Sequence, residues 1–150
     1  MGRKARFLTA DNARTAVLGF TIGNDVTARD LQKLDELWIS AKSQDTFTPV
    51  GPWIVTGLDD TDVALSIVHN GTALKAASSA NLGWNVDEIL VYLTSLMTLH
   101  PGDIILTGFP AECAPIHPGD TVTCRAEGIG ELTNPVTAAS SGIRGLMCQA

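Results

Sequence analysis

Asn70-Gly71 lies between two short apolar runs, residues 63–69 and 72–76, and both of its residues tolerate the positive φ that a two-residue type I′ turn demands. That dipeptide commits the middle of the chain to an antiparallel hairpin. Two more turns extend the constraint. His100-Pro101-Gly102-Asp103 and His117-Pro118-Gly119-Asp120 are near copies, each a Pro-Gly turn feeding a strand, over residues 104–107 and 121–127. They recur too closely to be solenoid units and read as a recurrent turn. Gly128-Ile129-Gly130 then turns a last hairpin that returns over residues 132–136.

The remaining segments fit around these strands. Thr9 offers an N-cap for a short helical run, and residues 19–23 read as a buried strand closed by glycine. Residues 24–33 read as a short helix, with Thr27 and Asp30 at capping-box spacing. Pro49, Gly51 and Pro52 forbid a helix and predict an ordered loop over residues 43–52, ahead of a short strand at residues 53–56. Asn85 and Glu88 form the best helix start, with Ile89, Leu90, Leu93, Leu96 and Met97 on one face thereafter. Residues 138–150 show no clear period. The expected class is mixed α/β and β-rich with short helices, in a single domain over residues 1–150, a length that supports one core.

Composition narrows the partners. The formal charge is −6 and the pI about 4.8, and the only basic cluster, Arg3-Lys4 with Arg6, falls in an N-terminal stretch read as a solvated tail. No nucleic-acid partner is expected. The longest apolar stretches, residues 16–22 and 104–110, fall short of the roughly 20 residues of a spanning helix, and no apolar signal segment follows Met1, so no membrane partner is expected. Cys113, Cys124 and Cys148 contain no Cys-x-x-Cys pair, which speaks against a disulfide framework or zinc knuckle and for a reducing, cytoplasmic location.

Asp25, Arg29 and Gln32, spaced by four and three, share a face if the helix begins near Val26. They offer a carboxylate, a forked cation and an amide, a set that suits a small oxoacid held against a hard divalent cation, or simply a capped and salt-bridged first turn. Lys42 could neutralise an enolate or carboxylate, or pair with Asp45. His69, His100 and His117 each precede a turn and read as exposed. The chain has no Gly-x-Ser-x-Gly elbow, dinucleotide fingerprint or P-loop.

Taken in order, Gly19-Phe20-Thr21-Ile22-Gly23-Asn24-Asp25-Val26-Thr27-Ala28-Arg29-Asp30-Leu31-Gln32, Trp38, Ala41-Lys42-Ser43 and Asp45-Thr46-Phe47-Thr48-Pro49-Val50-Gly51-Pro52-Trp53 closely resemble the fumarylacetoacetate hydrolase family. The Asn70-Gly71 hairpin, Leu99 through Gly108, Pro118-Gly119-Asp120 and Gly128-Ile129-Gly130 follow in the family's order, so the resemblance spans about residues 10–137.

The resemblance implies a β-roll, usually dimeric, that hydrolyses, isomerises or decarboxylates small α-keto or β-diketo acids with bound Mg²⁺, Mn²⁺ or Ca²⁺, as in aromatic catabolism. Carried over by motif, Asp25 looks like a metal ligand. Arg29, Gln32 and Lys42 look like catalytic and substrate-binding groups, and Thr46 and Phe109 like further substrate contacts. Phe109 stands where the family usually has a Thr that donates to substrate, and would narrow the pocket. The resemblance also implies two metal-binding carboxylates from a Glu-x-Glu strand and a His-Glu lid, both upstream of the matched motifs. Glu occurs here only at positions 36, 88, 112, 127 and 131, never as Glu-x-Glu. Two readings follow. In one, a family enzyme has its site completed by an upstream segment, a separate chain or a homodimer partner. In the other, a shortened homologue serves as a binding or assembly module, or works as a metal-free enzyme.

Overall fold

The structure is a computed structural model and describes residues 1–108 and 112–138. Its strands are β1 (Phe20–Gly23), β2 (Val50–Val55), β3 (Ala64–His69), β4 (Thr72–Ala73), β5 (Ala77–Ser78), β6 (Thr121–Ala126) and β7 (Gly130–Pro135), and its helices are α1 (Arg29–Gln32), α2 (Ile39–Lys42) and α3 (Val86–Leu96). The fold is mixed α/β and sheet-rich, as the turn pattern predicts. β4, β3, β6 and β7 run side by side, all antiparallel, with β5 paired to β3, while β1 and β2 form a separate antiparallel ribbon.

Asn70 and Gly71 both take positive φ, 50° and 81°, and close the β3–β4 hairpin as expected. A clasp then ties this turn to the second Pro-Gly turn. Asn70 Nδ2 donates to Asp120 Oδ1 at 2.7 Å, the backbone N–H of His117 donates to Asp120 Oδ2 at 2.7 Å, and His69 Nε2 lies 2.8 Å from Asp120 Oδ2. These three partners, Asn70 foremost, hold the Asp120 carboxyl well below its ordinary pKa. His69 is therefore a half-buried strand residue and not an exposed turn residue, whereas His100 and His117 are exposed.

One core lies between the two sheets, where β1 packs on β6 and β7 and β2 packs on β7. Ile22, Val63, Val122, Cys124, Ala126 and Ile129 form its centre. A second core gathers Ala13, Val86, Leu90 and Leu99, with Phe20 packed against both. Asn85 and Glu88 make the full capping box of α3, the side chain of each accepting from the other's backbone N–H. Of the expected face Leu90 is buried and Leu93 packs against the same core, but the buried stripe is Val86, Leu90 and Thr94 at fourfold spacing, and Leu96 and Met97 are exposed. Thr94 belongs in that stripe because its hydroxyl donates to Leu90 O at 2.7 Å and accepts from Leu8 N at 3.0 Å.

That last bond corrects the reading of the N-terminus. Residues 1–8 are docked and not a solvated tail. Ala5 bridges Leu99, Phe7 N donates to Thr94 O, the Arg6 guanidinium caps the same carbonyl, and the Met1 ammonium donates to Asp103 O at 2.7 Å. Arg6 thus satisfies a carbonyl at the end of α3, while Arg3 donates to Thr15 Oγ1. Thr9 caps no helix: its N–H donates to Asn12 Oδ1, and a single 3₁₀ turn follows at Ala13–Ala16. β2 begins at Val50, earlier than expected, and runs through Pro52 after a cis Gly51–Pro52 bond. Residues 104–107, expected as a strand, adopt none, because no neighbouring strand pairs with them among the described residues.

Candidate active site

The expected site residues lie on the turn that follows β1 and on the two short helices beyond it. β1 stops at Gly23, where a Cβ would come within 2.6 Å of Leu106 Cδ2, so a larger residue would need the Leu106 side chain to move aside. Asn24 N then donates to Pro49 O at 3.0 Å and ties the turn to the start of β2. Helix α1 begins at Arg29, three residues later than the shared-face reading needs, and Asp25 therefore stands outside it. The Thr27–Asp30 capping box does not form. The Thr27 hydroxyl instead turns back and donates to Asp25 O at 3.1 Å.

Asp25 pairs with Lys42, not with Arg29. The Lys42 ammonium donates to Asp25 Oδ2 and, at 3.3 Å, to Thr27 Oγ1. It also stands 6.0 Å from the centre of the Trp38 ring. The backbone presents Lys42 here because Ala41 is fully buried and its carbonyl accepts from Ala28 N at 3.0 Å, which locks α2 against the start of α1. Asp35 caps α2, accepting from Ser40 N at 2.7 Å, from Ser40 Oγ at 2.8 Å and from Leu37 N at 3.0 Å. These bonds, that of the Ser40 backbone above all, lower its pKa. Asp45 takes no part in holding Lys42.

Arg29 and Gln32 do share a face, one turn of α1 apart, with Arg29 Nη1 donating to Gln32 Oε1 at 2.9 Å. The other guanidinium nitrogen reaches Cys113 Sγ at 3.5 Å. Thr46 is exposed, takes a left-handed φ of 70° and makes no side-chain hydrogen bond among the described residues. Phe109 lies outside the described residues. Trp38 and Thr48 also take left-handed φ, both 58°, a conformation costly for residues with a branched or bulky side chain. Such strain concentrates at functional sites, and three cases within eleven positions mark this loop. Thr27, Trp38 and Cys113 were not legible in the sequence as contacts. Thr27 reads there as a cap, and the other two are brought in by chain reversals that no local pattern shows.

The chemistry available is that of an anion site. The side chains of Lys42 and Asp25 remain 29% and 45% exposed, and an ion pair this open contributes only about 0–1 kcal/mol. An incoming carboxylate or enolate can therefore displace Asp25 from the ammonium at little cost. Arg29 adds a planar fork suited to a second carboxylate. A divalent cation fits these residues poorly. The described residues hold no group of three or more His, Cys, Asp or Glu placed to ligate one, and a single carboxylate already engaged by a lysine does not make a Mg²⁺ site. An apolar cavity of about 280 Å³ runs along β1 as far as Gly23, Leu106 and Thr107. It reaches the turn but is lined by none of Asp25, Arg29, Gln32, Lys42 or Thr46.

Residues 1–137 match the family profile described as fumarylacetoacetate (FAA) hydrolase C-terminal. The chain belongs to the fumarylacetoacetate hydrolase family. A curated protein of Mycobacterium tuberculosis is 48% identical over 139 residues, covering 91% of this chain and 52% of that protein. Among solved structures, a 5-carboxymethyl-2-hydroxymuconate delta-isomerase from Mycobacterium smegmatis superposes with a TM-score of 0.91 at 45% identity, over 94% of this chain and 56% of the isomerase. A fumarylpyruvate hydrolase from Pseudomonas aeruginosa, crystallised with Mn²⁺ and pyruvate, superposes with a TM-score of 0.85 at 28% identity, over 93% of this chain and 62% of the hydrolase. These likenesses establish the fumarylacetoacetate hydrolase fold. The chain spans about half the length of the curated relatives it matches, 52% and 57% of two of them. No helix among the described residues is long and apolar enough to cross a membrane.

Proposed function

We propose that this chain carries the oxoacid-binding part of a fumarylacetoacetate hydrolase-type active site, acting on small α-keto or β-diketo acids by hydrolysis, isomerisation or decarboxylation. The observation that carries this reading is the Lys42 ammonium, delivered from α2 into the turn after β1 and held there by only a weak, open pair with Asp25 and one hydroxyl.

The roles follow from the chemistry of each group. Arg29 receives the substrate carboxylate on its fork, with Gln32 steadying the guanidinium. Lys42 Nζ faces the carbonyl oxygen and stabilises the negative charge that grows on it as an enolate forms, an interaction worth more in the transition state than in the ground state. Thr27 holds Nζ in place. Relatives of this fold include a hydroxymuconate isomerase and a fumarylpyruvate hydrolase holding pyruvate and Mn²⁺, which supports carbonyl chemistry on oxoacids. Asp25 is the residue that a divalent ion would use here. Since the described residues do not complete its shell, no step is assigned to such an ion. A homodimer and a cytoplasmic setting are part of the same proposal.

The absence of a three-donor metal cluster among the described residues favours a second reading, a binding module without turnover. Ultraviolet assays of oxaloacetate tautomerisation and acylpyruvate cleavage, with and without Mn²⁺, separate the two. Turnover that Lys42→Met lowers by about 10²-fold or more supports the enzyme. Undetectable turnover together with retained oxalate binding supports the module.

A further inference from the structure

Trp38 occupies a backbone position that suits glycine. Its φ of 58° is left-handed, a conformation that a bulky aromatic residue adopts only where its surroundings enforce it. The enforcement comes from Asp35 and from the start of α2. Trp38 N donates to Asp35 O at 3.1 Å, the Asp35 carboxylate takes the N–H groups of Leu37 and Ser40 on either side, and Trp38 O accepts from Lys42 N at 3.1 Å. This turn sets the indole four residues ahead of Lys42, with Nζ over the ring face and 6.0 Å from its centre. That separation is the outer limit of a cation–π contact, and Nζ already has Asp25 and Thr27 as partners, so the ammonium has little need of the ring. Trp38 itself is 49% exposed.

An exposed aromatic face beside the ammonium assigned to the substrate carbonyl is a seat for the rest of the substrate. We infer that Trp38 selects the substrate's tail, and that this tail is planar, apolar and uncharged, as in a 2-oxo acid carrying an aryl or other conjugated group. The inference rests on the assignment of Lys42 to the carbonyl oxygen and of Arg29 to the carboxylate. A carbonyl oxygen about 2.8 Å from Nζ brings the substituent on that carbonyl within the roughly 4.5–7 Å over which aromatic groups attract. A planar group then lies offset over the indole. A second carboxylate is disfavoured there, because the face of an aromatic ring is the negative side of its quadrupole. The turn that carries Trp38 agrees with an uncharged tail. Its sequence, Leu34-Asp35-Glu36-Leu37-Trp38-Ile39, contains no cation, and Leu34, Leu37 and Ile39 are 69%, 79% and 61% exposed.

Three oxalyl compounds that share a head and differ in the tail test this: oxamate with no tail, N-phenyloxamate with a phenyl ring and N-oxalylglycine with a carboxylate. Their affinities for the wild-type chain, Trp38→Phe and Trp38→Gly are measured by calorimetry. Glycine removes the ring while relieving the left-handed backbone, so that variant keeps its turn. Wild type should bind N-phenyloxamate at least about tenfold more tightly than oxamate, and N-oxalylglycine no more tightly than oxamate. Trp38→Phe should keep most of that preference. Trp38→Gly should lose it with oxamate affinity unchanged, a selective loss that a merely structural role for Trp38 would not produce. Equal affinity of wild type for oxamate and N-phenyloxamate, a preference that survives Trp38→Gly, or tighter binding of N-oxalylglycine overturns the tail assignment and leaves the head assignment standing. Equal weakening of all three ligands by Trp38→Gly would mean that Trp38 only positions Lys42, and overturns it too. Absence of oxamate binding to wild type overturns the oxoacid reading itself, and this inference with it.

Discussion

The β3–β7 sheet and the β1–β2 ribbon are both antiparallel, yet among the described residues only the first encloses strands paired on both sides. In the first, β6 is paired on both sides, to β7 over residues 121–126 and to β3 over residues 122–126, and its alternate residues Val122, Cys124 and Ala126 are buried. In the second, among the described residues, β1 has one partner and the strand-prone residues 104–107 have none, and Leu18, Ile54, Ile104 and Leu106 are exposed beside the cavity. Asp25, Arg29, Gln32, Lys42 and Thr46 all sit on the open side, on the turns and short helices between β1 and β2. The closed sheet supplies the base, and the open side carries the accessible polar groups.

Four substitutions can break or sharpen this contrast. Leu90, 2% exposed at the centre of the α3 core beneath the open side, should be the most costly: Leu90→Ala is expected to lower stability by about 2–5 kcal/mol in urea titration. A cost as small as that of a surface change would mean that this half has no core of its own. Asn85→Ala removes the capping box and should cost about 1 kcal/mol by the same measurement.

Asp120→Asn probes the clasp of the closed sheet through pH. The folded-state pKa of Asp120 is depressed below the ordinary 3.8, so its contribution is present above that value and is lost as pH falls through the folded pKa. Acid unfolding monitored by circular dichroism should show wild type losing stability below about pH 4, with the variant less stable at neutral pH and its acid limb shallower. Parallel profiles would contradict the clasp. Ile104→Ala should be the least costly, within about 0.5 kcal/mol in the isolated chain, because its side chain is already solvated.

The closed sheet was the more legible half in the sequence, for a physical reason. Its strands are joined by tight turns, Asn70-Gly71 and Gly128-Ile129-Gly130, whose backbone requirements are local and visible in residue type. The α3 start was equally clear, since a capping box is a four-residue signal. On the open side the local signals misled. Thr27 looked like a cap but bonds back to Asp25 O and receives Lys42. Residues 104–107 look like a strand but have no partner among the described residues, and a strand exists only in the company of another. The motif resemblance singled out Asp25, Arg29, Gln32 and Lys42, but the pairing of Asp25 with Lys42 across seventeen residues, and of Arg29 with Cys113 across 84, depends on chain reversals that no local spacing encodes. The docked N-terminus was missed likewise, its partners being the far end of α3 and the segment after it.

The claim that Lys42 is the centre of an oxoacid site is tested most directly by titrating oxalate, a mimic of a small enolate, into the wild-type chain and into Lys42→Met, with affinity read by calorimetry. The account predicts saturable binding to wild type, weakened at least about tenfold in the variant as one charge-assisted hydrogen bond is lost. Equal affinity in the two proteins would contradict it.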